Sequence, residues 1–128
     1  TAKSLYANLN PAFRSREKAE IVSYLRTRGG TVPASMPGGM EWDQTFACDV
    51  IQVDGKTVSL ICFSDAEKSG KFHLFTFTRK DFQEARIPTT PLIEKDGDST
   101  RAAWSDGELI HVLYSDRGEK NLRQLLDI

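Results

Sequence analysis

From Phe46 to Arg79 the pattern of apolar and polar positions reads as three consecutive β-strands. The runs Phe46 to Val53 and Thr57 to Phe63 are rich in β-branched and aromatic residues. Asp54-Gly55 between them is a hairpin signal, because a type I′ turn needs positive φ at both central residues. The polar run Ser64 to Gly70 links the second strand to a third. There Phe72, Leu74 and Thr76 fall on one face, and His73, Phe75 and Phe77 on the other.

Before this stretch the pattern changes. Thr1 to Leu9 reads as a loosely held entry. Asn10-Pro11 carries a helix-start signal, and Phe13, Ala19, Val22, Tyr24 and Leu25 follow at helical spacing. Gly29-Gly30 ends that helix. Its apolar stripe is narrow, which predicts a helix lying on a surface. Thr31 to Met40, rich in Pro and Gly, reads as an extended connection. Residues 1-40 are thus expected to be an N-terminal helix and connection, and 41-128 a β-rich core with a C-terminal helix, within one domain overall.

After Arg79, Lys80 to Arg86 predicts a helical turn, Pro88 and Pro91 an irregular passage, and Glu94 to Ser99 a charged loop. Arg101 to Ser105 and Glu108 to Ser115 form a second hairpin pattern around Asp106-Gly107. A two-residue turn there sets Trp104 opposite Leu109, with His111 and Leu113 on the same face. Ile110, Val112 and Tyr114 take the other face. Both faces carry apolar side chains, so this strand is covered on both sides or shows a patch to a partner. Trp104, Leu109, His111 and Leu113 are the candidate partner surface. Asp116 to Glu119 has capping-box spacing, and Leu122, Leu125 and Leu126 give a short amphipathic helix. The expected fold is α+β, a mainly antiparallel sheet of about five strands with a helix towards each end of the chain.

Composition narrows the classes. The chain has 128 residues, the length of one domain with a modest core. At 39% hydrophobic and 27% charged it is globular in type. A net charge of −1 supplies no global basic field, so no nucleic-acid partner is expected. No apolar run is long enough to cross a bilayer. No signal peptide is visible, and the chain begins at Thr1 rather than Met, which leaves room upstream for a signal or an anchor and says nothing about compartment.

Chemistry is sparse. Gly55-Lys56-Thr57 resembles the end of a phosphate-binding loop, but Val50 stands where that loop needs glycine, and the triplet lies in a hairpin. Asp96, Asp98 and Thr100 have the spacing that opens a calcium loop, yet Arg101 and Gly107 occupy the positions that need glycine and glutamate. Cys48, Cys62, His73 and His111 are the only soft metal ligands, and none are paired at metal-binding spacing. No metal, cofactor or catalytic residue is therefore assigned. Cys62 and His73 sit on successive strands, where a thiol–imidazole pair can form across a ladder. The two cysteines share a face or oppose one another according to the loop length at Asp54-Gly55, and the residues do not choose between these registers. Trp42 and Trp104 serve either as core or as a ligand surface.

The run from Cys48 to Leu126 carries a cysteine strand, VSLICF at Val58 to Phe63, HLF at His73 to Phe75, AAWSDG at Ala102 to Gly107 and a leucine-rich helix. In these structural features it resembles the C-terminal extracytoplasmic domain of bacterial membrane-anchored, anti-sigma-factor-like and uncharacterised proteins. The resemblance implies a non-enzymatic sensory or regulatory domain, periplasmic or extracytoplasmic, held to the membrane only through a segment absent from this chain. It implies no catalytic residue. The alternatives are a free-standing module that binds a ligand, a protein or a second copy of itself, and a small cysteine-dependent enzyme.

Overall fold

The computed structural model describes residues 10–38, 40–64, 70–82 and 86–128. In the described residues two helices lie with a six-stranded, wholly antiparallel sheet. Helix α1 spans Lys18–Thr27 and α2 spans Glu119–Leu126. The strands are β1 Thr45–Val53, β2 Lys56–Ser64, β3 Lys71–Thr78, β4 Leu92–Asp96, β5 Ser99–Asp106 and β6 Leu109–Ser115. Their spatial order is β1-β2-β3-β6-β5-β4. Two three-stranded meanders therefore join through the β3–β6 pair.

The α+β class is as the sequence predicts, with six strands in place of about five. The sixth is β4, which occupies part of the segment expected to be a charged loop. Its five residues carry Glu94, Lys95 and Asp96, charges typical of an exposed edge strand rather than a loop. Gly97 at φ 66° opens a tight turn into β5. Of the linker Ser64 to Gly70 and the turn Lys80 to Arg86, residues 65–69 and 83–85 lie outside the described residues, as does the entry Thr1 to Leu9. A short 3-10 helix at Arg79–Phe82 stands at the start of the expected turn.

Asp54 at φ 52° and Gly55 at φ 78° make the turn between β1 and β2. Val53 pairs with Lys56 and Cys48 with Ile61, which sends Cys48 and Cys62 to opposite faces. Both thiols are unbridged and buried. The second hairpin departs from expectation. Asp106 still belongs to β5 and pairs with Leu109, so Gly107-Glu108 makes the turn and Trp104 lies opposite His111. The register moves by two residues. Because side chains alternate with period two, the predicted face assignment survives.

Helix α1 begins at Lys18, eight residues after the Asn10 cap signal. The segment ahead of it is extended instead. Phe13 exchanges backbone hydrogen bonds of 2.8 and 3.1 Å with Cys48, and Ser15 N donates to Phe46 O at 3.2 Å. Pairing along the outer edge of β1 satisfies donors and acceptors that would otherwise face solvent. The Ser15 hydroxyl then accepts from Glu17 N and donates to the Glu20 carboxylate, which marks the true helix entry. The helix closes where predicted: Gly30 N donates to Leu25 O at 2.7 Å and Gly29 takes φ 76°.

The capping box expected at Asp116 to Glu119 does not form. Gly118 stands at the N-cap of α2 at φ 87°, with no side-chain cap. Asp116 instead ties the helix entry to the sheet, accepting from Lys71 N at 2.9 Å and donating its own N–H to Lys71 O. Glu119 bridges to Arg123 at 2.7 Å.

Both helices pack on one face of the sheet. Ile21 and Leu25 of α1 and Leu122 of α2 are fully buried with Cys48, Ile61, Phe63, Phe72, Leu74 and Leu113. The opposite face has its own buried cluster of Ala47, Val58, Leu60, Cys62, Phe75 and Tyr114. Phe82 covers Phe77 there at 4.5 Å between ring centroids, and Ser105 N donates to Pro88 O. The connection predicted to divide helix from core is itself part of the core surface. Pro33, Met36 and Pro37 are buried, and Gly38 lies so close to the Leu125 carbonyl that any Cβ would collide with it. Gly38 also adopts φ +60°, so glycine is required there twice over.

Candidate functional site

Register places polar side chains in two rows, one on each face. On the face away from the helices, Cys62, His73, Tyr114, Arg101 and Glu94 are successive cross-strand partners from β2 to β4. Residues directly opposite in antiparallel strands have closely spaced side chains, so groups scattered over 53 positions of sequence, from Cys62 to Tyr114, become neighbours. The Cys62–His73 pair anticipated from sequence is formed, with Sγ and Nδ1 3.2 Å apart. Burial pushes the Cys62 thiol up to about 12 and lowers the His73 imidazole to about 4. Both groups are therefore neutral at pH 7. A nucleophilic pair needs a thiolate beside an imidazolium, and access to it. Cys62 is fully buried.

At the other end of this row Tyr114 donates to Asp96 at 3.1 Å, and Arg101 reaches both Asp96 and Glu94 at 3.4 and 3.3 Å. Burial raises the Tyr114 hydroxyl to about 12, against the opposing pull of Arg101. The phenol stays protonated and acts as a donor.

On the helix-bearing face a second row runs Val50, Ser59, Thr76, His111, Trp104 across β1, β2, β3, β6 and β5. Thr76 Oγ1 and His111 Nδ1 are 3.0 Å apart, and the His111 ring tilts over Trp104 at 5.3 Å. Burial lowers the His111 pKa, opposed by the Asp106 carboxylate. The Ser59 hydroxyl has no hydrogen-bond partner among the described residues. Gly30 lies directly above it: a Cβ there would come within 2.7 Å of the Ser59 oxygen.

This second row ends at a cleft of about 330 Å³. Leu74, His111 and Trp104 line it from the sheet, Met36-Pro37-Gly38 from the connection and Leu126 from α2. Asp106, Ser35 and Pro91 complete the lining. A larger groove, about 860 Å³, runs between α1 and residues 32–34, with Lys18 5.4 Å from the Trp42 ring.

The four residues predicted as a partner surface share a face, but they are not one exposed patch. Leu113 is fully buried against Ala102 and Leu122, and His111 is 5% exposed. The connection and α2 cover what an isolated hairpin would display. Trp104 and Leu109 remain half-buried, and Trp104 opens into the cleft. Sequence reasoning did not reach Thr76 or Asp106 as neighbours of His111, nor the Tyr114–Asp96–Arg101 cluster. No local motif marks them, since each contact depends on which strands lie side by side.

Among the described residues no group of three His, Cys, Asp or Glu side chains is placed to hold a metal ion, and no helix is long and apolar enough to cross a membrane. Comparison with family models, with curated proteins and with solved structures finds no match to this chain.

Proposed function

We propose that the chain is a non-enzymatic binding domain, the sensory or regulatory part of an extracytoplasmic, membrane-anchored regulator of the anti-sigma-factor type. The observation that carries the binding reading is the Trp104–His111 floor of the cleft. It joins an accessible aromatic surface to a buried polar group at a concave site. The neutral, buried Cys62–His73 pair supports a structural role for the other row. The extracytoplasmic and anchored parts of the reading rest on the sequence resemblance from Cys48 to Leu126.

The test is protease accessibility of the tagged full-length gene product in intact spheroplasts, with membrane fractionation alongside. The expected result is a membrane-bound protein whose domain is cut from outside. A soluble protein protected within the cell overturns the anchored-regulator reading and favours a free-standing binding module.

A further inference from the structure

The Thr76–His111 hydrogen bond decides what the cleft offers a ligand. Thr76 is 1% exposed, and its hydroxyl has only His111 Nδ1 within hydrogen-bond reach among the described residues. An imidazole that donated from Nδ1 would leave the Thr76 proton buried without an acceptor among the described residues, which costs more than the bond gains. The favoured arrangement has the hydroxyl donating to Nδ1. The ring's own hydrogen then sits on Nε2. Nε2 makes no hydrogen bond among the described residues, and it is not among the sealed polar atoms of the core. His111 lines the cleft, so this N–H is presented there.

The other lining groups narrow the choice. Trp104 supplies a flat π surface, and Leu74 and Met36 supply apolar walls. Asp106 places an acceptor-only carboxylate at the exposed rim. A volume of about 330 Å³ lies at the small end of ligand pockets. An anionic ligand would satisfy Nε2–H but meet the Asp106 charge. A plain aromatic would satisfy neither polar group.

Building on the binding function proposed above, we propose that the cleft binds a small, planar, uncharged cyclic amide, whose ring stacks on Trp104. Its carbonyl accepts from His111 Nε2 and its N–H donates to Asp106. The site thus selects adjacent acceptor and donor on one flat ring, the pattern of a lactam or a pyrimidine-dione.

The experiment titrates the domain with uracil, 1,3-dimethyluracil and benzoate, followed by NMR at the Trp104 indole and the His111 ring. Trp42→Phe and His73→Gln variants assign the signals, since the chain has two tryptophans and two histidines. Uracil is expected to shift both signals saturably. Dimethyluracil, which keeps the carbonyls but has no N–H, is expected to bind about ten-fold more weakly, the scale of one hydrogen bond to a charged acceptor. Benzoate is expected to be weaker than uracil. His111→Gln keeps an N–H donor and should retain part of the uracil preference, whereas His111→Phe should lose it. Asp106→Asn, at an exposed position, tests the second contact without disturbing the core. Benzoate binding as tightly as uracil would overturn the cyclic-amide class while leaving the cleft as a binding site. No saturable shift with any of the three would overturn the cleft as a small-ligand site. Neither outcome bears on where the domain resides, which the spheroplast experiment reads separately.

Discussion

The two faces of the sheet solve the same problem differently. Each carries a row of polar side chains in an otherwise apolar layer. On the helix-bearing face the row is Ser59, Thr76 and His111, covered by α1, the connection and α2, and it ends in an open cleft. On the other face the row is Cys62, His73, Tyr114, Arg101 and Glu94, and it closes on itself through side-chain contacts. Buried polar groups are tolerable when their hydrogen bonds are satisfied within the protein. The row away from the helices meets that condition with the Cys62–His73 and Tyr114–Asp96 hydrogen bonds and the Arg101 ion pairs. The helix-bearing row leaves Ser59 Oγ without a partner among the described residues and sets His111 in the lining of the cleft, and a polar group at a concave site is where binding chemistry is expected.

The largest test of this contrast removes apolar mass beneath the helices. Phe72 is fully buried and stacks on Phe63 at 5.3 Å. Phe72→Ala should cost about 3–5 kcal/mol in chemical denaturation, more than any single change in either polar row. A loss below about 1 kcal/mol would mean that the helix-bearing face does not dominate stability.

Acid distinguishes the rows next. The His73 pKa is lowered by burial, to about 4 from 6.5, with Asp116 opposing and Lys71 assisting. Between those values the unfolded chain binds the proton and the folded chain does not. Stability is therefore complete above pH 6.5 and falls as pH drops towards 4, by on the order of 3 kcal/mol. His111 adds a change of the same sign, since its pKa is also lowered. Urea midpoints measured across this range should decline with acid, and His73→Gln should flatten most of the slope. An unchanged slope in that variant would assign the acid sensitivity to the helix-bearing face.

The smallest effects belong to the end of the closed row nearest β4. Tyr114→Phe strips a buried donor from Asp96 and should cost about 1–2 kcal/mol. Glu94→Gln, which removes a half-exposed partner of Arg101, should cost under about 1 kcal/mol. Thermal melts of the two variants should keep that order. Reversal would show that the Arg101–Glu94 pair, not the phenol, closes the row.

Legibility along the chain followed the range of the interactions. Asp54-Gly55 announced its turn because the conformation is set by those two residues, and the structure has positive φ at both. The second Asp-Gly was misplaced by one residue, since only Gly107 needs positive φ there and β5 extends through Asp106. The Asn10-Pro11 signal was overridden by pairing of Phe13 with Cys48, a contact 35 positions away. The Asp116 cap was lost in the same manner to Lys71. In both cases a long-range backbone partner outcompeted a local one worth about 1 kcal/mol. Strand β4 is short and charged, and only its pairing with β5 makes it a strand.

By itself, the sequence determined the α+β class, the strands from β1 to β3, the end of α1 and which side chains share a face with Trp104. These follow from periodicity and turn stereochemistry, which act over a few residues. The tertiary structure decided that β3 and β6 are neighbours, that the connection seals Leu113 and most of His111, and that the two cysteines face apart. It also decided that Thr76 meets His111 and that His73 joins Cys62 to Tyr114. Those contacts lie across strands, where chain entropy is spent on closing loops and no local preference records which partners will meet.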